Sequence, residues 1–583
     1  MGTNSLSSVQ CEANNALQTL LLCRTNLDAV PPTVNVLSEA QRIEMTFSNL
    51  DTIDFMLFCN LSKLNTLSFV RNKIKHIANS ATTNCSLYSG LKYLYISQNA
   101  LVKINLEMFN PFDCIVHISF FFNQLHAVIG DFQNKACFSL EFGHNKLRSL
   151  ELCRWNLPKL SLLHLSSNSF VTLPLCFDHI PSLKRLDMSN NLLSNISVQA
   201  FAKLDSLVSL DFSSNQITFI ELNTPHYPKN LQLLKLRNNR LTSLDLSFVP
   251  VQLLEVNVQR NLISCFDANQ TSPNSGLKMI EFGERNALTY LYVGESNLVN
   301  IPETIKLLKD LIKIEMIQCL IHAIDIEQFC DLALQLINFY ANRIHHVVNS
   351  AASKNCILYE SLQSLILSAN LLKTINMELF NPFRNMLSVS ISENGLEAVL
   401  GGLQTNASLG MGLAKNKLNA IDFCKWNVPH LIVLHLHHNK LTTVPSCLDK
   451  VHQLTELRLV SNQLVNVSIE SFAVMDGLKT LDLSYNRLTS ITLNSYRYPP
   501  NLEYLGLSDN NLTELDLSLV PVPSLEVDVK MNRIASIDFN SVSPNVTKLS
   551  MTANPIDYSW NFPGERINLK WIQNNVNNIV SAY

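Results

Sequence analysis

A chain of 583 residues with 16 % charged residues and a formal net charge of −3 carries far less charge than the roughly 25 % of ordinary soluble domains. With no Lys/Arg run, it excludes nucleic acid or an anionic membrane surface as the main partner. A chain this long exceeds the size at which one globular core stops growing, so it must form several domains or an array whose parts contact only their neighbours.

Residues 1–16 read as an N-terminal cap segment. MGTNSLSSVQ has neither a basic n-region nor an apolar h-region, so a secretory leader is absent from the chain as given. Leu6 stands where myristoylation requires Ser or Thr. No stretch of about 18 apolar residues offers a membrane-spanning helix; the candidate at 115–122 is interrupted by His117 and Ser119.

From residue 17 the chain becomes periodic. Leu160, Leu163, Leu165, Asn168 and Phe170 fit the pattern LxxLxLxxNxL, and the Asn position recurs every 22 to 28 residues within each half of the chain. These anchors run Thr25, Ser48, Asn72, Asn99, Asn123, Asn145, Asn168, Asn191, Asn215, Asn239 and Asn261. Such a pattern and period mark a leucine-rich-repeat solenoid, α/β in class, a horseshoe with a parallel sheet on its concave face. The Asn amide carries donors and an acceptor, which suits it to bonding the backbone where each coil turns.

A second series runs Ser296, Cys319, Asn342, Asn370, Asn394, Asn416, Asn439, Asn462, Asn486, Asn510, Asn532 and Asn554, nearly every position repeating the first at an offset of 271. The likeness exceeds the repeat pattern: Phe109-Asn110-Pro111-Phe112 returns as Phe380-Asn381-Pro382-Phe383. Two tandem arcs from an internal duplication are expected, at 17–275 and 288–556, with a seam at 276–287. Leu288 follows Leu277 by about half a coil, too little for a normal coil to close, so a break or kink is expected there. Residues 557–583, with Trp560, Phe562 and Trp571, read as a C-terminal cap.

Cys153 and Cys176 lie eight residues after neighbouring anchors, and Cys424 and Cys447 repeat the arrangement. Stacked coils bring such positions within disulfide reach, with buried thiols as the alternative. Cys59 with Cys85, mirrored by Cys330 with Cys356, forms a second candidate pair, and Cys11 with Cys23 an N-terminal clasp. Cys137 and Cys319 occupy core positions. Sequons at Asn60, Asn84, Asn195, Asn269, Asn406, Asn466, Asn511 and Asn545 are glycosylation candidates. Disulfides and glycans together point to secretion.

His435 and His437 share a strand face beside His438, but neighbouring coils supply Lys415 and Arg458 rather than further ligands, so no metal site is expected. No G-x-S-x-G, H-E-x-x-H or phosphate-binding loop is present, and neither catalysis nor a cofactor is expected.

The coils, the N-terminal Cys segment, the sequons and the aromatic C-terminal segment resemble extracellular leucine-rich-repeat proteins, and among them the leucine-rich-repeat immune proteins of mosquitoes. That resemblance implies a secreted innate-immune factor binding a complement-like thioester protein. The sequence departs from that family in having no cysteine after Cys447. The alternatives are a truncated receptor ectodomain of Toll-like type or an intracellular repeat scaffold. In each coil the residues between the inward Leu positions, and the two before the anchor, project from the sheet. Tyr93, Tyr95, Phe121 and Phe122 hold such positions, whereas their counterparts are Ser364, Ile366, Ser392 and Glu393. This cluster is the expected protein-binding site.

Overall fold

In a computed structural model the described residues are 6–13, 16–81, 84–222, 224–263, 280–351, 355–538 and 541–556. Asn269, part of the expected seam and the expected cap at 557–583 lie outside them. The chain forms two compact units, Met1–Asn297 with Leu307–Leu311, and Leu298–Lys306 with Ile312–Tyr583.

In the first unit every coil contributes one strand to a parallel sheet. Leu67, Leu94, Ile118, Leu140, Leu163, Leu186, Leu210 and Leu234 pair in register from strand to strand. All eight are buried, which is why the Leu spacing repeats so strictly. The second unit repeats this column as Ile337, Leu365, Val389, Met411, Leu434, Leu457, Leu481 and Leu505.

Behind the Leu column runs the Asn ladder. Asn99 Nδ2 donates to the Phe69 carbonyl of the preceding coil at 2.9 Å and to Ile96 O at 3.1 Å, while its Oδ1 accepts the Ile74 N–H at 3.1 Å. One side chain thus satisfies backbone groups of two coils that no strand could reach. The residue before each anchor turns left-handed, as Gln98 (φ 57°), Phe122 (φ 54°) and His144 (φ 53°) do. At the N-terminal end Thr25 and Ser48 substitute a hydroxyl pair, Oγ1 to Oγ at 2.6 Å.

On the back, the coils close through 3-10 turns and short strands. Asp54, Asn105 and Ser197 each cap such a turn by accepting the N–H two residues on, and Asp325, Asn376 and Ser468 do so in the second unit. Coils of this length leave too few residues for longer helices. Among the described residues α-helix is confined to the single turns Leu87–Gly90 and Leu358–Ser361.

At the end of the first unit the strand Leu244–Asn257 pairs in parallel with Ile280–Gly294. The sequence expects a break or kink here; the described strands pair with register shifts between Leu246 and Phe248, Val249 and Leu254, and Leu254 and Glu255.

Candidate functional site

The aromatic side chains proposed from the sequence lie on neighbouring coils of the first unit in two groups, Tyr93 and Tyr95 on one strand and Phe121 and Phe122 just past the next. Tyr93 is 40 % exposed on the strand Tyr93–Tyr95, and Tyr95 lies tilted against His117 with ring centres 5.1 Å apart. Burial, followed by the Glu141 and Tyr93 charges, holds the Tyr95 phenol above its ordinary value.

Phe121 is half-buried because it lies across the backbone of Gly143. A Cβ there would sit 2.3 Å from the ring, so only glycine admits this position. From that seat Phe121 meets Phe122 and His144 edge-on at 4.9 Å and His164 at 5.3 Å. Phe122, projected by its left-handed backbone, is 44 % exposed and stacks on His144 at 4.0 Å with ring planes 11° apart.

Carboxylates lie beside these rings. His164 Nε2 is 3.2 Å from Asp187 Oδ2 and 2.7 Å from Ser166 Oγ. The hydrogen bond with Asp187 raises the His164 imidazole above its ordinary value despite burial. Burial pushes the Asp187 carboxyl up, but hydrogen bonds from His164 and Ser189 outweigh it and hold the group low. Burial depresses His117, whose Nε2 is 3.9 Å from Glu141 Oε2, against the pull of that carboxylate.

Sequence reasoning misses His117, Glu141, Gly143, His144, His164 and Asp187. They stand at the same projected positions as the aromatic residues, in the coils anchored at Asn123, Asn145, Asn168 and Asn191. Reading across the coils rather than along one would have found them.

Disulfides join Cys59 to Cys85 and Cys330 to Cys356 with Cα atoms 4.5 Å apart, and Cys153 to Cys176 and Cys424 to Cys447 with Cα atoms 5.0 Å apart. The expected Cys11–Cys23 clasp is absent: both are free thiols. Cys23 ends the first sheet strand, whereas the Cys11 N–H donates to Thr33 Oγ1 at 3.0 Å in the turn behind it. Cys137 is buried, its thiol pushed up to about 12. Cys319 is also buried and unbridged.

Asp422 approaches Cys424 and Cys447, but those sulfurs are bonded to each other and offer no thiolate to a metal. His435 and His437 rings lie 5.9 Å apart. A cleft of about 650 Å³ beside the Cys153–Cys176 bridge is lined by Asp131, Arg154, Trp155 and His179; Arg154 Nε lies 2.6 Å from Asp131 Oδ1. Among the sequon residues, Asn60, Asn84, Asn195, Asn406 and Asn466 are exposed, and Asn511 and Asn545 are half-buried. Asn545 Nδ2 donates to Val520 O at 2.7 Å.

Residues 181–241 and 452–512 match the family described as Leucine rich repeat, two stretches separated by the duplication offset, and residues 37–145 match the BspA type Leucine rich repeat region. A curated relative, adenylate cyclase of Schizosaccharomyces pombe, is 26 % identical over 361 residues, which is 59 % of this chain; the chain spans only 20 % of that protein. Among solved structures, the TLR13–ssRNA13 complex is 18 % identical with a TM-score of 0.48, covering 91 % of each chain. The APL1 leucine-rich-repeat domain is 19 % identical with a TM-score of 0.44, covering 60 % of this chain and 84 % of its own. The LRIM1/APL1C complex gives 18 % and 0.46, covering 60 % of each chain. Such a fold typically serves as an interaction scaffold. No helix among the described residues is long and apolar enough to cross a membrane. Matched segments in both halves and an Asn ladder that repeats coil by coil lead to one assignment: the chain folds as a leucine-rich-repeat solenoid.

Proposed function

We propose that this is a non-enzymatic recognition protein, a secreted innate-immune factor that binds a protein partner through the sheet of its first unit. The partner class suggested by the resemblance to mosquito immune proteins is a complement-like thioester protein. The observation that carries the reading is the set of aromatic side chains on this sheet, Tyr93 and Phe122 exposed and Tyr95 and Phe121 half-buried, with Phe121 seated on Gly143 and Phe122 stacked on His144. Exposed rings held rigidly lose little entropy on contact and make effective interface anchors.

Two features support it. The four disulfides favour an oxidising compartment. None of the seven described sequon asparagines stands at a projected sheet position of its coil, so glycans would leave the sheet clear. The test is affinity capture from extracellular fluid, with wild type and a Phe121→Ser/Phe122→Ser variant compared by quantitative mass spectrometry. A specific protein retained by wild type should weaken by more than about 1 kcal/mol with the variant. Equal capture by the folded variant would overturn the site.

A further inference from the structure

The same patch specifies the chemistry of what it binds, an inference that rests on the recognition reading. We propose that it takes a cationic side chain, an arginine or lysine of the protein partner, against the faces of Phe121 and Phe122 and beside the carboxylates of Glu141 and Asp187.

The first argument comes from the neighbouring coils. Phe47 holds the same left-handed position before its anchor as Phe122 does. Its ring already receives two guanidiniums of the chain itself, Arg24 at 5.6 Å and Arg71 at 4.7 Å from the ring centre. A phenylalanine projected from this position thus presents its face to cations. Phe122 stands three coils further on, stacked on one side by a histidine and otherwise substantially exposed.

The second argument is charge. Three other projected acids of this sheet have cationic partners: Glu44 with Arg42, Asp211 with Lys235 at 3.2 Å, and Glu295 with Arg260 at 2.6 Å. Glu141 and Asp187 face imidazoles instead, His117 at 3.9 Å and His164 at 3.2 Å. When those imidazoles are neutral, Glu141 and Asp187 flank the His164 strand from either side, with the Phe121 ring against His164 and Arg185 on the Asp187 strand to oppose them.

Acid therefore competes with the partner. His164 is faced by Glu141 from one neighbouring strand and by Arg185 and Asp187 from the other, with Asp211 beyond; His117 is faced by Tyr93, Tyr95 and Glu141. His164 gains its proton above the ordinary 6.5 and His117 below it. Acidification fills the carboxylates in two steps and should expel a bound cation.

Saturation-transfer NMR on the full chain tests this, with acetyl-Gly-Arg-Gly-amide and acetyl-Gly-Glu-Gly-amide as probes at about pH 8 and about pH 5.5. The Arg probe should bind at the higher pH, weaken roughly tenfold at the lower, and weaken roughly tenfold in the Glu141→Gln/Asp187→Asn and Phe121→Ser/Phe122→Ser variants. A His117→Gln/His164→Gln variant should bind it with a flattened pH profile. Equal response to the Glu probe, unchanged Arg binding in the carboxylate variant, or no Arg response would overturn the proposal. If the Arg probe is silent while Phe121→Ser/Phe122→Ser still loses the captured protein, the cation assignment falls and the recognition reading stands. If that variant captures as wild type does, the recognition reading falls.

Discussion

Asn145 is the place where ladder and candidate site share one side chain, and replacing it tests how the coils are held. Its Nδ2 donates to Phe120 O at 3.0 Å, Phe142 O at 2.9 Å and Gly143 O at 3.2 Å, and its Oδ1 accepts the Leu125 N–H at 2.9 Å. In Asn145→Ala the three carbonyls each keep another donor: Asn123 Nδ2, Asn168 Nδ2 and the Phe122 N–H. Only the Leu125 N–H is orphaned, which costs about 1–3 kcal/mol, and the weakened carbonyl contacts bring the loss to about 2–4 kcal/mol. Asn145→Asp keeps the acceptor but turns a second oxygen toward those carbonyls. Its carboxyl would titrate above the unfolded value, so the destabilisation grows as pH rises past about 4 and relaxes in acid. Urea unfolding and hydrogen exchange at the Leu125 amide read the effect. A loss under about 0.5 kcal/mol in Asn145→Ala, or identical pH dependence in the two variants, would refute the ladder as a source of stability.

Peptide mapping without reduction should recover the four bridges while Cys11 and Cys23 alkylate freely. Breaking a bridge should cost about 3–4 kcal/mol, with equal losses at Cys59–Cys85 and Cys330–Cys356 because both span 26 residues. Gly143→Val should expel Phe121 from its seat, since the added Cβ falls 2.3 Å from the ring; the fold persists and capture weakens, read by circular dichroism and mass spectrometry. His164→Gln removes a group whose folded pKa is raised, so its stabilisation is present in acid and fades as pH climbs through that value. Thermal midpoints of wild type and variant should therefore converge toward high pH.

The coil pattern was legible because each anchor Asn and inward Leu does the same job in every coil. Cys153 and Cys176 were legible for the same reason, standing at equal offsets from stacked anchors. Cys11 and Cys23, near in sequence, are separated because a single coil carries its residues from sheet to back. Cys59 and Cys85 stand at unequal offsets and meet because their coils differ in length, the second adding the turn Leu87–Gly90. Gly143 carries no sequence signal of its own; its role appears only when a ring from the coil before is laid across it. Histidines read solely as metal ligands conceal the role of His164, whose partner Asp187 lies on the next strand.

The second unit supplies a control for the chemistry of the first. At the duplication offset Glu141 corresponds to Gly412, Arg185 to Glu456 and Asp187 to Arg458, and these positions occupy equivalent sheet strands. Arg458 pairs with Glu456 on its own strand, so transferring Arg458 alone would set two guanidiniums side by side at 185 and 187. The triple variant Glu141→Gly, Arg185→Glu, Asp187→Arg avoids that clash and copies a strand set the fold already accommodates. It forfeits the Ser189 N–H and Oγ bonds to Asp187 Oδ1 at 2.9 and 2.7 Å and the His164 contact with Asp187 Oδ2 at 3.2 Å, about 2–4 kcal/mol together, which should move the thermal midpoint by several degrees without unfolding the chain. With both carboxylates gone, the rings remain but the charge that steers a cation does not. Binding of the Arg probe should fall at least about tenfold while the folded state persists, because Phe121 keeps its seat on Gly143 and Phe122 its stack on His144. Undiminished Arg binding by the folded triple variant would show that the rings alone select the ligand and that Glu141 and Asp187 serve only their histidines.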